Sequence, residues 1–115
     1  MSGNTPDTLL VYCTCPDEAA GAELATHLVE QGLAGCINVL PGITSIYKWH
    51  GTMKSGTEAL LLIKTPANKY PALEQAIRSR HPYELPEIIA VSIETGLPDY
   101  LNWIAQETDI RETDI

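Results

Sequence analysis

Leu9-Leu-Val-Tyr-Cys-Thr-Cys-Pro-Asp17 is the stretch on which the fold turns, because it joins a buried strand to a helix start with nothing between. Leu9 to Cys13 is apolar without a gap, the pattern of a strand covered on both faces. Thr14-Cys-Pro-Asp17 then offers a hydroxyl cap candidate, an early proline and an acid for the first turn. Ala20, Leu24, Ala25, Leu28 and Val29 recur at helical spacing, so a helix is expected over about 17–31, with Gly32 as its C-cap. Cys36-Ile-Asn-Val-Leu40 is β-rich, and Pro41-Gly42 interrupts it with a turn or kink. Ile43 to His50 alternates, so the strand resumes; Gly51 to Gly56 is expected to form the hairpin connection and Glu58–Thr65 the returning strand.

The second half repeats the order. Tyr70, Leu73, Ala76 and Ile77 mark a helix that must stop at His81, because Pro82 pushes the preceding residue into an extended conformation. Glu87–Thr95 is expected to be a strand, and Pro98 to about Thr108 a short closing helix. The sum is β-α-β-β-α-β plus a helix, an α+β, ferredoxin-like plait of one domain over residues 1–107, with an acidic polar tail over 108–115 expected to fray. Right-handed crossovers place the third strand between the first and second and the fourth on the first strand's other side. His81 and Tyr83 should therefore lie near Cys13 and Cys15, with Cys36 at the other end of the sheet. The long hairpin carries Ile46, Tyr47, Trp49, Leu60 and Leu62, more apolar surface than two helices cover, so self-association through it is expected.

Composition narrows the partners. The 115 residues hold 15 acids against 7 bases, a formal net charge of −8. Nucleic acid and anionic membrane surfaces are disfavoured, since both require clustered Lys and Arg. The apolar runs are too short to span a bilayer, and the N-terminus lacks the pattern of a signal peptide. Three cysteines without a secretion signal read as thiols, so a cytoplasmic location is expected.

Cys13-Thr-Cys-Pro-Asp17, Leu33-Ala-Gly-Cys-Ile-Asn38, Pro41-Gly42, Ser45-Ile-Tyr-Lys-Trp-His-Gly51, His81-Pro-Tyr-Glu-Leu-Pro-Glu87 and Tyr100-Leu-Asn-Trp103 together resemble the CutA family of divalent-cation-tolerance proteins, from about Leu9 to Ile104. The resemblance implies a ferredoxin-like subunit, a homotrimer built on the long hairpins, and binding of divalent cations, copper chiefly. It implies that Cys13 and His81 bind the metal. Some members carry a histidine where this chain has Arg80, and many carry an acid where it has His50.

The residues support that chemistry on their own terms, beside quieter readings. Cys13 and Cys15 at i, i+2 on a strand point to one side, and thiolates select copper(I) or zinc over calcium or magnesium. Equally, Cys13 reads as a small buried hydrophobe and Cys15 as a linker residue. His81 reads as a ligand or as a helix-terminating cap. Cys36, Glu84 and Glu87 are further candidates to complete a site, Cys36 only across a subunit interface. His27 and His50 read as surface residues. No phosphate loop, His-Glu-x-x-His or Gly-x-Ser-x-Gly is present, and Cys13–His81 lacks an orienting group, so an enzyme is not expected. Two alternatives to a metal-binding protein stay open. One is a PII-like trimeric small-ligand module, should Arg78, Arg80, Lys48 or Lys64 converge on a cleft. The other is a structural trimeric scaffold.

Overall fold

The computed structural model describes residues 7–109. Their order is β1 (Thr8–Cys15), α1 (Glu18–Glu30), β2 (Cys36–Trp49), β3 (Thr52–Pro66), a 3-10 turn at Ala67–Lys69, α2 (Tyr70–Arg80), β4 (Ile88–Ile93) and α3 (Pro98–Thr108). The four strands form one antiparallel sheet in the order β2-β3-β1-β4, the ferredoxin-like arrangement expected from the chain order. Along β1 the period of two divides the sheet. Val11, Cys13 and Cys15 point to the face that α1 and α2 cover, and meet Leu61 and Ile63 of β3, Leu24 and Leu28 of α1, and Leu73 and Ile77 of α2 in one buried cluster. Leu10 and Tyr12 point the other way, in register with Leu62 of β3 and with Ile89 and Val91 of β4.

Two local expectations are corrected. The cap of α1 is not Thr14, which belongs to β1, but Asp17, whose carboxylate accepts from the Ala20 N–H at 2.8 Å. The hairpin connection is not Gly51–Gly56. β3 begins at Thr52, and the chain reverses on His50 and Gly51 alone, both in the left-handed region at φ 49° and 79°. The closing helix ends at Thr108 as expected; that residue is buried, its hydroxyl donating to the Ile104 carbonyl at 2.9 Å. Residues 110–115 of the acidic tail lie outside the described residues.

Elsewhere the local chemistry does what its residues dictate. Gly32, at φ 71°, ends α1 with its N–H on the Val29 carbonyl, while the Leu33 N–H returns to Leu28, the paired bonds of a Schellman ending. The kink at Pro41-Gly42 is a bulge: pairing passes from Leu40–Leu60 to Ile43–Glu58. The extra residue reverses the parity of β2, so Tyr47 and Trp49 face the same side of the sheet as Leu40, opposite Lys54 and Thr52.

The turn generates a test. A two-residue reversal with both residues at positive φ is a type I′ turn, which favours Asn before Gly and penalises a β-branched residue. His50→Asn should raise the denaturant midpoint, and His50→Val should lower stability by about 1–2 kcal/mol. Both remove the edge-on ring contact with Trp49, so the difference between the two variants reports the backbone alone.

Candidate metal centre

Two chain terminations bring the site together. β1 ends on Cys15, paired with Ala59, and Cys13 two residues earlier pairs with Leu61 on one side and Ile88 on the other. α2 ends because Pro82 denies its predecessor a helical conformation: His81 is extended at φ −77°, ψ 137°, with its N–H still closing the last turn on the Ile77 carbonyl at 2.9 Å. The imidazole then folds down over the end of β1. Donor atoms of Cys13, Cys15 and His81 all lie within 4.8 Å of one another, and Cys15 Sγ is 4.0 Å from His81 Nε2. Both thiols are fully buried, and His81 is 9% exposed, so the ring is the lid of the cluster.

The hydrogen-bond partners of His81 identify its tautomer. The Tyr83 N–H can only donate, and it reaches Nδ1 at 3.1 Å. The Thr14 carbonyl can only accept, and it lies 2.7 Å from Nε2. Nδ1 therefore holds a lone pair and Nε2 carries the hydrogen. The Tyr83 ring lies 4.7 Å from the imidazole, and its hydroxyl donates to Glu58 Oε2 at 2.6 Å. Burial and that carboxylate push the Tyr83 phenol well up from its ordinary value.

The two thiols ionise unequally. Cys13 is pushed far up, first because its S–H serves Cys15, then by burial and by the nearby carboxylates of Glu87 and Glu58. Cys15 is held down because it accepts from Cys13, so the first proton to leave the pair leaves from Cys15. A disulfide between them is not accessible in the strand. Residues i and i+2 stand about 6.6 Å apart along β structure, whereas a bridge needs Cβ atoms about 3.5–4.5 Å apart.

The donor set fits a soft metal ion: two buried sulfurs and an imidazole converge within reach of one ion. Of the expected ligands, Cys13 and His81 are brought together as the strand order requires. Cys15, which sequence spacing left undecided, is the sulfur beside the ring. Cys36 is not part of the cluster. It pairs with Lys64, which pairs with Leu10, so it lies on the opposite face of the sheet, against the Tyr100 hydroxyl. Glu84 and Glu87 line an open groove of about 850 Å³ between the hairpin and residues 82–87, with Tyr47, Trp49, Glu58 and Lys54, rather than joining the three donors.

These ionisations predict a pH dependence of stability. Above pH 9 an unfolded chain gives up its Cys13 proton, ordinarily held up to 9.0, while the folded chain keeps it. The unfolded state then binds fewer protons, so stability falls as pH rises. Tyr83 adds to the fall from its ordinary value of 10.0 upward. Denaturant unfolding at successive pH values should show this decline, and Cys13→Ala should make it shallower.

Comparison with known proteins agrees with this architecture. A family profile described as CutA1 divalent ion tolerance protein matches residues 9–107. The mouse protein CutA is 44% identical over 109 residues, covering 94% of this chain and 62% of its own length. The chain thus spans about three fifths of the animal relatives it matches. The divalent-cation tolerance protein CutA of Thermus thermophilus is 41% identical over 99 residues, which is 86% of this chain and 96% of that protein. The crystal structure of CutA1 from Oryza sativa superposes with a TM-score of 0.89 at 38% identity, covering 96% of this chain and 99% of that one. With the family profile matching nearly the whole described fold, the chain belongs to the CutA1 divalent ion tolerance family.

Proposed function

We propose that this chain binds a soft metal ion, copper foremost and zinc as a further candidate, through Cys13, Cys15 and His81, and that it contributes to divalent cation tolerance as a cytoplasmic homotrimer. The observation that carries the reading is the convergence of two buried sulfurs and one imidazole nitrogen within 4.8 Å at the meeting of β1 and α2. Soft sulfur favours copper(I) or zinc over harder ions. Binding requires deprotonated thiols, so it releases protons and strengthens with pH. Free thiols, three in the chain, suit a reducing compartment such as the cytoplasm.

Catalysis is not part of the proposal. In this structure the His81 Nε2 hydrogen is directed at Thr14, so the ring as held here is not set to take a proton from a thiol. A small anionic ligand finds little support either. Of Arg78, Arg80, Lys48 and Lys64, only Lys48 lines the groove; with Lys54 it faces Glu58, Glu84 and Glu87, three acids to two bases.

Assembly is supported by the sheet face turned away from α1 and α2, beyond the part that α3 reaches at Cys36. Ile89 is 55% and Val91 51% exposed there, beside Leu10, Tyr12 and Leu62, and Ile46 on the hairpin is 70% exposed. An apolar sheet face calls for a partner surface, and the resemblance to the CutA family supports a copy number of three.

Two measurements test the proposal. Copper(I) titrated into the reduced protein against a competing chelator should bind near one ion per chain. Cys13→Ala, Cys15→Ala and His81→Ala should each weaken binding at least tenfold, about 1.4 kcal/mol. Equal binding by all four proteins would reject the site. Sedimentation should give three times the 12.6 kDa chain mass, and Val91→Glu should dissociate the assembly; a wild-type monomer would reject it.

A further inference from the structure

His81 is not an open ligand. Its Nδ1 lone pair is taken by the Tyr83 N–H, and its Nε2 hydrogen points at the Thr14 carbonyl. Nε2, the nitrogen 4.0 Å from Cys15 Sγ, can hold an ion only when it has lost that hydrogen. In a neutral imidazole the hydrogen then sits on Nδ1, where it meets the Tyr83 N–H at 3.1 Å. Two donors cannot share a hydrogen-bond distance, so the Tyr83 amide has to leave.

What leaves with Tyr83 is set by the next residues. Residues 82–87 carry no helix or strand. Pro82 and Pro86 donate no backbone hydrogen bond, so the segment is held by few contacts. The Tyr83 hydroxyl on Glu58 of β3 is one of them, and the ring contact with His81 is another. Tyr83, Glu84, Leu85 and Glu87 form one wall of the groove whose other wall is the hairpin, with Tyr47 and Trp49.

From this geometry we infer that Tyr83 is the positioning residue for His81, and that ion occupancy and the closed 82–87 segment exclude each other. In this structure His81 is held in its Nε2–H form and Tyr83 on Glu58. With an ion held at Nε2, the ring would have given its Nε2 hydrogen to solvent and taken one at Nδ1, the Tyr83 amide would have to leave, and the segment with its wall of the hairpin groove would move. The site then has an output surface as well as a ligand, which is what a sensor requires and a buffer does not. This inference rests on the metal-binding reading. It goes further by assigning the conformational consequence and the residues that transmit it.

The experiment uses the full chain, labelled with nitrogen-15, without metal and with anaerobic copper(I) at saturation. Three quantities are read on the same samples: metal bound, which ring nitrogen of His81 carries the hydrogen by long-range proton–nitrogen correlation, and amide exchange at Tyr83. The expected result is Nε2–H without metal, Nδ1–H with it, and at least tenfold faster exchange of the Tyr83 amide on loading. Tyr83→Phe keeps the ring and removes the hydroxyl catch. It should speed the same exchange in the metal-free protein and tighten copper(I) binding at least twofold, because less of the closed state must be opened. Glu58→Gln, which retains an acceptor, should fall between the two. Copper(I) bound through the cysteines with the ring tautomer and Tyr83 exchange unchanged would overturn the latch and leave the metal reading standing. No copper(I) bound would overturn both.

Discussion

The hydrogen bond from His81 Nε2 to the Thr14 carbonyl, 2.7 Å long, fastens the end of the second crossover to the end of the first strand. Most of what distinguishes this molecule from a generic plait follows from it. Thr14 sits between the two buried cysteines, so a ring bonded to its carbonyl must lie over both sulfurs. The ring can reach it because Pro82 stops α2 at Arg80 and turns His81 extended. The same ring gives Tyr83 an acceptor, and Tyr83 in turn reaches Glu58 on β3. One imidazole thus ties α2, β1, β3 and the approach to β4 into a single network, at the place where the sheet's core opens to the surface.

Much of this was legible in residue order alone. The succession of strands and helices, with the handedness of the crossovers, placed His81 beside Cys13 before any coordinates, because that argument needs only topology. What the order could not supply was the second partner of each group. Cys15 reads equally as a linker residue ahead of Pro16, and its part in the cluster depends on β1 running its full length to Cys15. The tautomer of His81 depends on which backbone groups lie within 3.1 Å, and no pattern of side chains encodes that.

The hairpin illustrates the opposite failure. Gly51-Thr-Met-Lys-Ser-Gly56 is polar, exposed and bracketed by glycines, so its composition reads as a loop. Yet Thr52 to Gly56 pair residue by residue with Ser45 to Trp49. Backbone pairing asks nothing of side chains beyond room, and the turn itself needs only two residues at positive φ. Gly51 carries the signal for that turn, whereas His50 at φ 49° does not, because a histidine is seldom placed there. The cap of α1 misleads for a related reason. Thr14 and Asp17 are both good caps, and the choice between them is made by sheet pairing that continues through Cys15.

The electrostatics of the groove connect these observations to function. Glu58, Glu84 and Glu87 outnumber Lys48 and Lys54 around it, and the chain as a whole carries a net charge of −8. Such a field concentrates cations and repels anions, so the approach to the cluster favours a positive ion whatever its identity. The field acts on the thiols in the opposite sense: the contact with Cys15 and burial do most to hold the Cys13 proton, and the carboxylates of Glu87 and Glu58 add to them. At sulfurs that had released their protons to solvent, a bound cation would supply the positive charge that the carboxylates favour. Carboxylates that oppose ionisation of the thiols would therefore favour the pair with a cation bound, and Glu58 also holds the Tyr83 hydroxyl. A single side chain thereby serves both the attraction of the ion and the contact that the ion's arrival disturbs.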